Sequence, residues 1–304
     1  MRTSVVIPAH NEERYIGENV LALLNQTKKP YEIIVVNDGS KDRTESIVEG
    51  LRRRNPCVKL LNYSKGHSAA FARNRGAASA TGDILLFIDA DIIVRDNKLI
   101  SKIEDEMQNR DALSLVVKTE YKTLMQKAQG VRPRLTEFFL KLTGKKINYF
   151  NVIRRKVFKE LRGFNENIYY YEDRELGERI AKRTKIDTMI VDIYHEEPDT
   201  LKEIIQQARS VGKGISTYNL VLEDPKVLLY PHYPFFWVLF LLSILLWFFS
   251  PYLLEFLLLV LAAEFLLAIY LTHEILPSLL YVFIISPIRS FAIAYSYIKN
   301  KTRA

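Results

Sequence analysis

Four short runs of almost continuous apolar residues, at 3–7, 31–36, 58–61 and 83–88, constrain the fold of this chain more than any other feature. Strands that lack polar alternation are buried on both faces. Between the runs, apolar residues recur at helical spacing, as with Ile16, Val20, Leu23 and Leu24. Further helices are expected over 43–54 and 68–80. Asn11 is expected to cap the first helix, with Glu12 and Glu13 against its dipole, and Pro8 to end the first strand. This rhythm specifies an α/β fold with a doubly wound, mainly parallel sheet. Ligands of such sheets bind at the carboxyl ends of the strands. Polar residues gather at those ends: Pro8 to Glu12, Asp38 to Ser40, and Asp89 to Asp91.

In an extended chain Asp89 and Asp91 would point to the same side. Two hard oxygen ligands at a strand end suit Mg²⁺ or Mn²⁺, particularly a cation shared with phosphates. The same residues could instead form a polar turn that closes the strand. No G-x-G-x-x-G follows the first strand and no G-x-x-x-x-G-K-[ST] occurs, which disfavours a dinucleotide cofactor and excludes a P-loop ATPase. The net charge of +8 is spread among acids up to about residue 224, so no nucleic-acid arm is indicated. A basic surface facing anionic lipid or substrate fits better. The single cysteine, Cys57, excludes an intramolecular disulfide and points to a reducing compartment. Because 3–7 already reads as a strand, no secretory signal is expected ahead of it.

The set Ile7-Pro8-Ala9-x-Asn11-Glu12, Val36-Asn37-Asp38-Gly39-Ser40-x-Asp42, Ala72-Arg73-Asn74-x-Gly76 and Asp89-Ala90-Asp91 resembles the family-two inverting glycosyltransferases of GT-A fold, over about residues 1–220. The resemblance implies a nucleoside diphosphate sugar donor. Pro8, Glu12 and Asp38 would line the base and ribose pocket, and Arg73 would be a charge partner near the base or diphosphate. Asp89 would lie by ribose and metal, and Asp91 would ligate the metal in a DXD motif. Downstream, Arg162-Gly163-Phe164-Asn165-Glu166 and Tyr171-Glu172-Asp173 match the family's pairing of a turn with a helix start that carries the catalytic base. An attacking hydroxyl must lose its proton, so one carboxylate in reach is required. Asp173 is assigned that role, with Glu172 as its acceptor-side neighbour; both acids could simply cap a helix over 173–183. His195, after a strand at 188–193, falls where several family members complete the metal site. Gln206-Gln207-Ala208-Arg209-Ser210 matches only part of the Gln-x-x-Arg-Trp signature of processive synthases; Ser210 stands in place of the Trp. Arg209 could still contact an acceptor phosphate.

Composition changes sharply after Pro225. A cytoplasmic transferase domain is expected at 1–224, with a nucleotide-sugar half at 1–95 and an acceptor half at 96–224. The acceptor half would contain a helix over 97–108, a strand over 113–119 and a basic stretch at 121–146. A membrane region is expected at 225–304, with transmembrane helices at about 231–249 and 251–271 and an interfacial amphipathic helix at about 275–298, kinked at Pro287. A 21-residue helix spans about 31 Å, enough for a hydrocarbon core of about 30 Å. Lys299, Lys301 and Arg303 form a positive tail that prefers the cytoplasm.

The expected protein is a multi-pass cell-membrane enzyme. It would transfer one sugar, with inversion and using Mn²⁺ or Mg²⁺, from a UDP-sugar or a GDP-sugar to a lipid-linked or membrane-proximal acceptor, with membrane lipids as partners and no nucleic acid. The alternatives are a polyprenyl-phosphate mannosyl or glucosyl synthase and an inactive membrane scaffold. A nucleotidyltransferase would need a Gly-rich basic loop where Pro8-Ala9-His10-Asn11-Glu12 stands.

Overall fold

The structure, a computed structural model, describes residues 1–119, 121–135, 138, 150–169, 172–195, 198–217, 237 and 251–301. The chain divides into two compact units, one of 1–120 and 147–196, the other of 121–146 and 197–304.

The first unit is built on one eight-stranded sheet. Its strands are β1 (Thr3–Ala9), β2 (Glu32–Asp38), β3 (Val58–Tyr63), β4 (Ile84–Phe87), β5 (Ile92–Val94), β6 (Ala112–Thr119), β7 (Val152–Arg154) and β8 (Asp187–His195). Their order is β3-β2-β1-β4-β7-β6-β8-β5. The first four are parallel. Beyond β4 the sheet becomes mixed: β7 runs antiparallel to β4 and β6, β8 parallel to β6, and β5 antiparallel to β8. The doubly wound parallel pattern therefore holds for the first half only. β5 and β7 have three residues each, too few to show a period.

Alternate residues of each strand feed opposite layers. Val5, Ile7, Ile33, Val35 and Leu86 pack under Ile16, Val20 and Leu23 of the helix Ile16–Leu24. Val6, Ile34, Val36 and Leu85 pack under Ala70, Ala72 and Ala77 of the helix Ala69–Ser79. That helix lies close to the sheet because its residues are small: a Cβ on Gly76 would stand 2.3 Å from Val6 Cγ1. The helices Thr44–Arg54, Leu99–Glu106, Arg155–Glu160 and Glu172–Ala181 complete the layers.

Two local expectations are corrected. β1 continues through Pro8, which pairs with Val36. Val6 O accepts from Ile88 N on the β4 side, and main-chain groups alternate sides along a strand. The Pro8 nitrogen thus also faces β4, whose register with β1 has ended at Val6–Phe87, so no ladder bond is lost. Asn11 is not a cap. It takes φ 60°, donates its N–H to Ser40 Oγ at 2.9 Å and accepts from Lys41 N at 2.8 Å, while the helix begins at Ile16. Asn tolerates the left-handed region better than most residues.

In the second unit, Thr123 and Gln126 form a capping box at the helix Leu124–Gln129. The helix Leu201–Thr217 lies along Ser286–Lys301: Ser296 Oγ donates to Arg209 O at 2.7 Å, and a Cβ on Gly212 would meet Ile293 O at 2.4 Å. Leu254–Thr272 and Ile275–Lys299 are each long and apolar enough to cross a membrane. By length and composition the second, expected as an interfacial helix, suits a span as well. Within it a π-turn, Tyr281–Ile285, comes just before Pro287, which lacks the N–H that a continuous helix would use at that point. The span expected at 231–249 lies, apart from Trp237, outside the described residues.

Glu32 ties the lower ends of the parallel strands together. Its buried carboxylate accepts from Ser4 Oγ (2.6 Å), Thr81 N (2.7 Å), Thr81 Oγ (3.0 Å) and Lys59 Nζ (2.6 Å). Burial alone would raise its pKa, but the hydrogen bonds from Lys59, Ser4 and Thr81 outweigh it and hold the group at about 2. The stability this supplies is complete above the ordinary value of 4.5 and is lost as pH falls toward about 2. Glu32→Ala is expected to lower the unfolding free energy by about 2–3 kcal/mol at neutral pH. The loss should shrink on acidification in urea titrations, whereas an equal loss at pH 7 and pH 3 would contradict the assignment.

Candidate active site

The carboxyl ends of β1, β2 and β4 open on a cavity of about 420 Å³. First-unit residues line it, among them Pro8, Glu12, Asp38, Arg73, Asp89, Asp91, Glu172 and Asp173. Eight of the ten residues expected from the sequence are thereby gathered at one place.

Asp89 and Asp91 reach this cavity from a turn, not from an extended strand. β4 ends at Phe87, and Ile92 N donates to Asp89 O at 3.1 Å. The two carboxylates take different partners. Asp89 Oδ1 accepts from Arg73 Nη2 at 2.6 Å, and Asp91 Oδ2 lies 3.1 Å from His195 Nε2. The sheet register explains the second pair, since His195 of β8 stands opposite Ile92 of β5. Among the described residues no three His, Cys, Asp or Glu side chains converge as a ready-made metal cage. The donor chemistry nevertheless suits a divalent cation: Asp91 and His195 are adjacent, with the Asp89 carboxylate on the same cavity wall. Glu12 registers the crowding of negative charge. Burial, with the fields of Asp91, Asp89 and Asp42, pushes its carboxyl up to about 8.

Arg73 is the buried cation among these acids. It projects from the helix Ala69–Ser79, with Nη2 on Asp89 and Nη1 on Glu172 Oε1, and its guanidinium stands over the Phe164 ring. Burial disfavours its charge, but Asp89, Glu172 and Asp173 outweigh that and hold its pKa above the usual arginine value. Burial would also raise Asp89, whose carboxyl Arg73 instead holds down. Glu172 remains raised by burial despite Arg73. Asp173, the next residue, is partly exposed and borders both the main cavity and a smaller adjoining one of about 100 Å³.

Asp38 is tied to His67, whose N–H donates to Oδ2 at 2.7 Å and whose Nδ1 lies 2.8 Å from Oδ1. The His67 ring stacks on Phe71 at 4.0 Å. Asn74 docks the turn 162–166 onto the donor half: its amide donates to Phe164 O and accepts from Phe164 N, both at 2.9 Å. Gly163, at φ 66°, has no room for a Cβ, which would lie 2.6 Å from Asn74 Oδ1. His67, Asn74 and Tyr169 were not among the expected site residues. Asn74 had a signal in its own motif, but its partner is 90 residues away. Arg209 belongs to the second unit, where its guanidinium stands over Tyr295 at 5.9 Å.

A mixed, curled sheet with acids at its strand ends is the fold of the GT-A glycosyltransferases. The mannosyltransferase PcManGT of Pyrobaculum calidifontis, solved with GDP-Man and Mn²⁺, aligns with a TM-score of 0.59 at 18% identity, over 99% of this chain and 87% of its own. S. aureus TarS, solved with UDP, aligns with a TM-score of 0.51 at 20% identity, over 71% and 65%. The chain belongs to glycosyl transferase family 2, whose model matches residues 4–162, just over half of the sequence. Its relatives include the Bacillus subtilis glycosyltransferase EpsJ, 29% identical over 66% of this chain and 63% of EpsJ. A Haemophilus influenzae glycosyltransferase is 29% identical over 51% and 58%. A dolichyl-phosphate beta-glucosyltransferase of Trichomonas vaginalis is 37% identical over 29% of each chain. The matches thus span about six-tenths of the length of the first two relatives.

Arg73→Ala would leave Glu172 buried without its counter-charge. It is expected to cost about 3–5 kcal/mol in urea unfolding. A loss below about 1 kcal/mol, the level of an exposed ion pair, would contradict the buried bridge.

Proposed function

We propose that this protein is a metal-dependent inverting glycosyltransferase that passes one sugar from a nucleoside diphosphate sugar to a lipid-linked acceptor. The observation that carries this reading is the convergence of the strand-end acids, Arg73 and the Glu172–Asp173 helix start on one cavity. Pro8 and Asp38 border the part assigned to the base and ribose, with His67 fixing the Asp38 carboxylate. Asp89, Asp91 and His195 would hold Mn²⁺ or Mg²⁺. That ion supplies Lewis-acid neutralisation of the charge that develops on the leaving diphosphate.

Asp173 is assigned as the base. Inversion requires one displacement at the anomeric carbon, with the acceptor hydroxyl attacking as the C–O bond to the diphosphate breaks. Its proton passes to a carboxylate on the acceptor side. Glu172 is buried and its Oε1 accepts from Arg73, whereas Asp173 is partly exposed and borders the cavity. Glu172 then acts through Arg73, holding it against Asp89.

A UDP-sugar is favoured as donor; the GDP-Man bound to the mannosyltransferase neighbour supports a GDP-sugar as the second reading. A lipid acceptor is supported by the two apolar C-terminal helices and by the relative named as a dolichyl-phosphate glucosyltransferase. In this reading the first unit faces the cytoplasm and the C-terminal helices hold the enzyme in the membrane.

The reading is tested by incubating the detergent-solubilised protein with labelled UDP- and GDP-sugars, polyprenyl-linked sugars, whose free hydroxyls are the acceptors, and Mn²⁺. Label should pass from one donor into the organic phase. No transfer or donor turnover with any pair would overturn it. Asp173→Asn should keep nucleotide affinity within about twofold and lower transfer by about 100-fold or more; full retained turnover would remove Asp173 as the base. Asp91→Ala should abolish the gain in nucleotide affinity on adding Mn²⁺, as read by calorimetry. An unchanged gain would take Asp91 out of the metal site.

A further inference from the structure

We propose that Asn19 is a positioning residue that sets the Asp89–Asp91 turn in the shape that cation and diphosphate require. The proposal rests on the reading of that turn as the metal site. Asn19 lies in the middle of the helix Ile16–Leu24, on the face that carries Ile16, Val20 and Leu23, and is 1% exposed. Asparagine is a poor helix former, and an aliphatic side chain would suit this face better. What it adds is a pair of N–H donors. Its Nδ2 donates to Asp89 O at 3.1 Å and to Ile92 O at 2.5 Å, the two carbonyls that bracket Ala90 and Asp91.

The Asp89 carbonyl also receives the turn-closing bond from Ile92 N. It therefore accepts two N–H groups, and a peptide flip at this point would break both. Among the described residues Asn19 Oδ1 has no hydrogen-bond partner, so the donor side of the amide carries the role. With both carbonyls pinned, the side chains leave the turn in fixed directions, Asp89 toward Arg73 and Asp91 toward His195. A metal site gains from ligands whose orientation is held by outer hydrogen bonds. Two turns further on, Gln26 makes a similar bond to Asp96 O at 2.8 Å, outside the acid turn, which makes it a matched structural control.

The test uses the full chain in detergent. Asn19→Leu, Asn19→Ser, Gln26→Leu and Asp91→Ala are compared by thermal melting and by calorimetric titration with UDP and GDP, in Mn²⁺ and in chelator. Asn19→Leu keeps the branching at Cγ, favours helix and removes the donors. It should melt within about 4 °C of the parent while its Mn²⁺-dependent nucleotide affinity falls about tenfold, equivalent to about 1.4 kcal/mol. Affinity in chelator should not change. Asn19→Ser, too short to span both carbonyls, should show the same sense of effect, and it decides the matter if the leucine variant does not fold. Gln26→Leu should leave affinity unchanged. If Asp91→Ala lowers the affinity and the Asn19 variants do not, the proposal is wrong and the metal reading stands. If Asp91→Ala also has no effect, the metal reading fails and takes the proposal with it.

Discussion

The guanidinium of Arg73 joins the parts of the site that come from distant stretches of chain. One nitrogen holds Asp89 of the acid turn and the other holds Glu172 at the start of the helix that carries Asp173. A guanidinium this little exposed needs a counter-charge, which Glu172 supplies from a buried position and Asp89 from a half-exposed one. The pairing thus fixes the acid turn and the helix start at one spacing. Removing Glu172 would leave the guanidinium with its solvent-facing partner alone, so the buried pair resists drift.

Everything around Arg73 serves to bring it there. Alanines and Gly76 let its helix settle directly on β1, and Asn74, the next residue, clamps the turn 162–166 by both edges of its amide. The antiparallel register of β5 and β8 carries His195 to Asp91. Asn19 holds the main chain of the acid turn from the opposite layer. Side chains in the cavity are thus oriented by contacts made elsewhere, which is the arrangement that electrostatic catalysis favours.

The parallel half of the sheet was legible because β1, β2 and β4 are nearly continuous apolar runs, as in sheets covered on both faces, whereas β3, at the sheet edge, is only partly buried. The acids were legible as residues because they follow those runs. Their geometry was not. Alternation along an extended strand would aim Asp89 and Asp91 together, but the chain turns after Phe87 and sends them to Arg73 and His195. The bond between Arg73 and Glu172 spans 99 residues, and no local pattern encodes it. β5 and β7 escaped notice for want of length, which is why the sheet looked more parallel than it is. Asn19 left a trace, a polar residue on an apolar helical face, whose meaning appears only once its carbonyl partners are in view.

The most direct test is calorimetry of the purified chain in detergent with UDP and with GDP, each in Mn²⁺ and in chelator. The account predicts that one nucleotide binds, and binds more tightly with the metal. If neither nucleotide binds a folded sample under either condition, the cavity between Asp38, Arg73 and Asp91 is not a donor site, and the proposed transferase activity is wrong.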